Sequence, residues 1–156
     1  MDVLRHYLAV FFCAMVPVLE LRASILLGAG FGLPWVPTFL VSVLGNMLPV
    51  PFILLFIRRI IRWMHTTRRL RPVAEWLETK AANHSKRVKE YASLGLVLLV
   101  GIPLPGTGAW TGALVAALFD IRMKYALPAI FAGVLLAGFI VTGVSYGFLS
   151  FLSFLV

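Results

Sequence analysis

Residues 101–112 read Gly-Ile-Pro-Leu-Pro-Gly-Thr-Gly-Ala-Trp-Thr-Gly, and their setting decides the fold. The run from Tyr91 to Ile102 is apolar, and residues 109–119 are again apolar and small. Pro103 and Pro105 break the incoming helix, because each lacks a backbone N–H and clashes with the preceding turn. Gly106 and Gly108 permit tight reversal and close backbone approach, and Thr107 is placed to cap the returning helix. Neither flanking run reaches the roughly 20 residues needed to cross the hydrocarbon. A helical hairpin that enters and leaves the bilayer on one side fits both lengths. Broken backbone at that depth is tolerated only where protein or a cavity surrounds it. The free N–H groups of the returning helix, with Trp110 and Thr111 beside them, therefore predict an anion-binding point.

The N-terminal half has the same layout. Tyr7 to Leu19 is apolar, Glu20 and Arg22 interrupt, and residues 23–33 are small and apolar. Pro34 to Ile57 is long enough to span, with Gly45, Asn46, Pro49 and Pro51 inside it; Tyr125 to Val156 is the last long apolar stretch. Short paired runs in corresponding places of two halves point to re-entrant hairpins around a binding site. The expected fold is an all-α integral membrane protein made of two inverted repeats. Each repeat is a re-entrant hairpin (residues 3–33 and 91–120) followed by a transmembrane helix (34–57 and about 125–147). The chain forms one membrane domain: residues 1–57, a basic amphipathic linker over 58–90, and residues 91–156. A shift of 88 residues pairs Pro17 with Pro105, Leu26 with Leu114, Ala29 with Ala117, Phe31 with Phe119 and Gly45 with Gly133. So biased a composition can produce that many identities, and the repeat rests on the layout.

Composition makes lipid the solvent. Of 156 residues 61% are hydrophobic and 13% charged, with mean hydropathy +0.97, against about 25% charged in ordinary soluble domains. A soluble fold this small cannot hide so much apolar surface, which excludes soluble enzymes and nucleic-acid readers. Between Arg58 and Glu90 lie ten basic and three acidic residues, so this block carries +7 of the net +8. Set between two apolar halves, it is a cytoplasmic segment by the positive-inside bias, touching anionic lipid heads and binding no nucleic acid. Ile57, Ile60, Ile61 and Met64 form one amphipathic stripe; Val73, Trp76 and Leu77 begin another after Pro72. Hairpin 1 then enters from outside and hairpin 2 from the cytoplasm, with Arg122 and Lys124 on the cytoplasmic side. The lone Cys13 and the scattered His6, His65 and His84 build neither disulfide nor metal site, and no cofactor is expected. No small-x-small cleavage pattern follows the first apolar run, so the N-terminus is read as retained.

Glu20 and Arg22 fall where hairpin 1 must turn. An ionisable group at mid-membrane costs at least about 2.5–3.5 kcal/mol, so it usually faces a cavity or a partner. Three readings stand: a structural ion pair tying the tip, an interfacial loop after a short first span, or a functional pair. In the functional reading Arg22 holds an anionic group. Glu20 takes up a proton, since burial disfavours a charged carboxylate. Asn46 either bonds across helices or touches substrate.

Glu20-Leu21-Arg22 with the small residues after it, then Gly45-Asn46, then the block from Ile102 to Gly112 resemble the small multidrug export protein family of bacteria and archaea. The likeness covers nearly the whole chain, and that family is in turn similar to the DedA superfamily. The resemblance implies two facing re-entrant hairpins with embedded acidic and arginine residues, and a substrate such as a polyprenyl phosphate or phospholipid. DedA proteins carry an arginine in the second hairpin motif, where this chain has Pro103, Pro105 and Thr107. Phosphate binding then falls to Arg22 and backbone donors.

The expected function is proton-coupled transport of an amphipathic or lipid-like substrate with an anionic group, in the cytoplasmic membrane of a prokaryote. Export of cationic amphiphiles against protons and a non-transporting assembly subunit are the alternatives. Without clustered Asp or a Ser/His pair in the apolar segments, enzyme chemistry has few candidates. So few spans enclose little volume, and a homodimer or larger assembly is expected.

Overall fold

The computed structural model describes residues 2–66, 72, 88–104 and 106–155. All regular structure among them is helical: α1 (Asp2–Met15), α2 (Glu20–Gly30), α3 (Trp35–Met47), α4 (Pro49–Thr66), α5 (Val88–Gly101), α6 (Ala109–Leu118) and α7 (Met123–Leu155). Two stretches are long and apolar enough to cross a membrane, Trp35–Ile60 and Met123–Gly147, and only 33% and 39% of them is buried inside the protein. Their outer faces carry exposed Leu40, Leu44, Phe52, Phe56, Phe139 and Val144. A soluble protein would cover such faces, and here lipid must.

The first of these stretches is two helices. Pro49 and Pro51 cannot donate to the preceding turn, and the helix breaks at Leu48, whose own N–H still reaches Leu44 O (3.1 Å). The stripe that begins at Ile57 is the continuation of α4, which runs unbroken to Thr66, rather than part of a linker separate from the spanning helix. The second stripe, Val73, Trp76 and Leu77, lies outside the described residues.

Each half packs in the same manner. α1 lies on α2 and α3, and α5 lies on α6 and α7; across the halves, α2 meets α7 and α6 meets α4. Gly45 of α3 comes so close to α1 that an added Cβ would stand 2.5 Å from Phe11 O. Gly133 of α7 meets α5 in the same way, 2.9 Å from Val97 O. The core between the halves holds Ile25, Val50, Leu54, Val100, Ile130 and Val134.

The turns repeat bond for bond. After α2, Phe31 N donates to Leu27 O (3.0 Å), Gly32 N to Ala29 O (3.0 Å) and Leu33 N to Gly28 O (3.0 Å). After α6, Phe119 N donates to Val115 O (3.0 Å), Asp120 N to Ala117 O (3.2 Å) and Ile121 N to Ala116 O (2.9 Å). Both are Schellman ends with a left-handed residue after the cap: Gly32 at φ 68° and Asp120 at φ 48°. Every partner in the second set is the first set's partner shifted by 88 residues. The brace on each turn obeys the same shift. Tyr146 of α7 donates its hydroxyl to Leu33 O (3.0 Å), and Arg58 of α4 donates to Ile121 O.

Candidate functional site

The site forms where the tips of the two hairpins, α1–α2 and α5–α6, meet. The first tip reverses within Val16–Leu19, with Val18 at φ 82° and Glu20 at φ 50°. A positive φ is rare for any residue with a side chain and a clear outlier for β-branched Val18, which is 95% exposed. The reversal turns Glu20 inward, where only 7% of it stays exposed.

Glu20 lies against the start of α6. Its Oε1 accepts from Trp110 N (3.2 Å), and the Ala109 N–H also points at the carboxylate. A helix start leaves such N–H groups unpaired and carries a partial positive charge. The expected Thr107 cap is therefore replaced: Gly108 holds the N-cap position without a side-chain bond, and the other hairpin supplies the capping oxygen. Gly108 is required for this contact, because an added Cβ would overlap the Glu20 carboxylate. The helix N-terminus read as an anion point already faces a carboxyl group, the protein's own.

Arg22, half-buried, reaches the opposite end of the same loop. Its guanidinium donates to Leu104 O, to Ile102 O (3.3 Å) and to Thr107 Oγ1 (2.9 Å). Both carbonyls also accept from the backbone of the loop itself, Ile102 O from Leu104 N (2.8 Å) and Leu104 O from Thr107 N (3.2 Å). The Thr107 hydroxyl faces the same two carbonyls, Ile102 O at 3.0 Å and Leu104 O at 2.9 Å, which is why it cannot cap α6. Arg22 and Glu20 thus hold the two sides of loop 102–108 and form no ion pair with each other. Trp110 returns the contact, donating Nε1–H to Met15 O (3.2 Å) at the end of α1.

Asn46 is 2% exposed and its Oδ1 has no partner among the described residues. It lines a cavity of about 10 Å³ with Glu20, Arg22, Gly108, Val100 and Val134, room for about one water molecule. Thr111 donates to Gly106 O (2.8 Å) and steadies the loop from within. Gly106 needs its φ of 83°, a conformation that only glycine adopts freely. Pro103 lies exposed in the loop, and Pro105 lies outside the described residues. Glu20, Arg22, Asn46, Thr107, Gly108 and Trp110 are therefore brought together. Sequence reasoning missed Met15, Leu104, Arg58 and Tyr146, which act through a backbone carbonyl or on one. Among the described residues no group of three or more His, Cys, Asp or Glu stands together to hold a metal.

Glu20 is the one buried carboxylate among the described residues, and it joins the two helical hairpins of an all-helical protein with two membrane-capable stretches. The chain belongs to the family described as "Putative small multi-drug export protein", whose sequence model matches residues 20–140. That range begins at Glu20 and takes in Arg22, Asn46, Thr107, Gly108 and Trp110, while Met15 and Tyr146 lie outside it. No curated protein and no solved structure matches the chain.

Proposed function

We propose that this protein is a proton-coupled membrane transporter built as an inverted repeat, with Glu20 on the axis relating its halves. The contact of Glu20 with Gly108 carries the reading. Under the shift of 88 residues Gly108 is the equivalent of Glu20. When two like units pair across a two-fold axis, residue i meets j′ while i′ meets j, and a residue meets its own equivalent only at that axis. Arg58 on Ile121 and Tyr146 on Leu33 are such a crossed pair. Arg22 bonds the carbonyls on either side of Pro103 while its equivalent Trp110 bonds Met15, the equivalent of Pro103, which approaches a second such pair. With the axis in the membrane plane, both hairpins are re-entrant from opposite leaflets.

The chemistry follows from the cap. An ionised Glu20 is attracted to the start of α6, an interaction worth about 0.3–1 kcal/mol at a surface and up to about 2 in partly buried geometry. Protonation removes the charge and loosens the tips. Arg22 then leaves the Ile102 and Leu104 carbonyls and becomes available to an acidic group. A groove of about 740 Å³ lies beside the site, lined by Met15, Leu48, Phe52, Phe56 and Trp110, with Arg59 in its wall. That volume lies within the usual range of ligand sites, and a wall of apolar groups with one cation suits an amphipathic molecule bearing an anion. The basic block keeps its end of the molecule in the cytoplasm, in the inner membrane of a prokaryote.

A second copy is expected on α7. Gly143 and Gly147 are exposed four residues apart, and nothing lies within 4 Å of an added Cβ at either. Small residues at that spacing let membrane helices approach closely.

Flux in proteoliposomes tests the function. A pH gradient should drive a fluorescent phosphatidic acid across vesicles holding the wild type and leave vesicles holding Glu20→Gln passive. Gradient-driven movement of ethidium in place of the lipid would give the role to cationic amphiphiles. Flux of neither overturns the transporter.

A further inference from the structure

Glu20 stands at one end of a buried polar column whose equivalent positions, under the shift of 88 residues, carry no polar side chain. Thr38, Ser42 and Asn46 recur every fourth residue on α3, all buried. Ser24 lies one turn from Glu20 on α2, and Thr142 and Ser145 lie on α7, buried as well. The contacts fix their order. Glu20 shares its cavity with Asn46, Val134 and Ala137, and at the far end Gly28 presses on Thr38 while Tyr146 bonds to Leu33 O. Antiparallel α2 and α3 therefore set Ser24 at the level of Ser42. Thr142, between Ala137 and Tyr146 on α7, falls at the same middle level.

Thr38, Ser24 and Ser145 donate to carbonyls of their own helices. Ser42 Oγ, Asn46 Oδ1 and Thr142 Oγ1 have no partner among the described residues. A buried polar atom left unpaired costs about 1–3 kcal/mol, so three in one column call for a reason. The shift of 88 residues supplies a control within the molecule. It carries Thr38, Ser42 and Asn46 onto Ala126, Ile130 and Val134, and Thr142 back onto Leu54, all apolar and buried. Packing between the halves does not require hydroxyls at these positions.

We propose that Ser42, Thr142 and Asn46 line a proton path joining Glu20 to the membrane face at the α2–α3 turn. It rests on proton coupling at Glu20 and adds the side of entry, the face opposite the basic block. Asn46 to Thr38 is eight residues, about 12 Å of helix at 1.5 Å per residue, spanned by hydroxyls that rotate and by water passing between them. Arg22, from α2 itself, is the one charged side chain lining the Glu20 cavity; α3 contributes Asn46, α5 Val100, α6 Gly108 and Ala109, and α7 Val134 and Ala137.

The test is infrared spectroscopy of the full-length protein in a lipid film after a pH jump. The Glu20 carboxyl band is identified by its loss in Glu20→Gln. Ser42→Ala combined with Thr142→Val should slow the protonation of Glu20 roughly tenfold or more, since both links of the chain are removed. Thr142→Ser, which keeps the hydroxyl, should retain the wild-type rate. Unfolding temperature checks the fold, and the double variant should be no less stable, because the hydroxyls it removes have no protein partner. Equal rates in wild type and double variant overturn the path alone. A Glu20 band that never titrates in the wild type overturns proton coupling, and the path with it.

Discussion

Arg58 and Tyr146 do the same work at opposite corners of the protein. Each leaves the spanning helix of its own half and bonds the carbonyl that closes the hairpin turn of the other, Arg58 to Ile121 and Tyr146 to Leu33. Donors and acceptors alike are related by a shift of 88 residues. The side chains have nothing in common except a donor at the end of a long arm. Geometry is repeated here while chemistry is not.

Removing either brace should therefore destabilise the fold, by unequal amounts. Tyr146→Phe loses one hydrogen bond, worth about 0.5–1.5 kcal/mol, and Arg58→Gln loses a charge-assisted one, worth about 1.5–3 kcal/mol. Thermal unfolding in detergent should rank Arg58→Gln below Tyr146→Phe, and both below wild type.

Glu20 and Gly108 should be coupled. Gly108→Ala alone drives a Cβ into the carboxylate and should cost about 1–3 kcal/mol, the usual range for overpacking. In Glu20→Ala the space is vacant, and adding Gly108→Ala should cost little further. A double-mutant cycle measures this, with an expected coupling of about 0.5–3 kcal/mol; additive losses would mean the two do not touch.

Val18 is held at φ 82° and is almost fully exposed, so nothing is lost by trimming it. Val18→Gly should stabilise the protein by about 1–2 kcal/mol, the penalty a side chain carries in the left-handed region. An unchanged midpoint would mean that the tip relaxes to an ordinary turn.

Leucine at Gly143 and Gly147 together should leave the fold intact and abolish a dimer. Mass measured by light scattering in mild detergent should fall to that of one chain. Dimers that survive would place the interface elsewhere.

The layout was legible in sequence because lipid leaves few choices. Apolar runs of fixed length between Glu20, the Pro103–Gly108 loop and the basic block mark helix ends directly, and α1, α2, α6 and the break near Pro49 fall where those signals stand. The site was legible as a set of residues and not as a set of bonds. Thr107 reads as a cap by its residue type, yet the oxygen at that helix start comes from Glu20, far away in the chain. Arg22 reads as an ion-pair partner or as the holder of an anionic group, yet it is spent on the Ile102 and Leu104 carbonyls. The shift of 88 residues pairs Glu20 with Gly108, Arg22 with Trp110 and Arg58 with Tyr146, which no identity count detects.

Labelling with a membrane-impermeant maleimide in intact cells tests the inverted arrangement most directly. Phe31→Cys and Phe119→Cys stand at equivalent, exposed positions after α2 and α6, and are introduced one at a time with Cys13 replaced by Ala. Phe31→Cys should react from outside, and Phe119→Cys only after the cells are opened. Reaction of both from the same side would mean that the halves are not inverted.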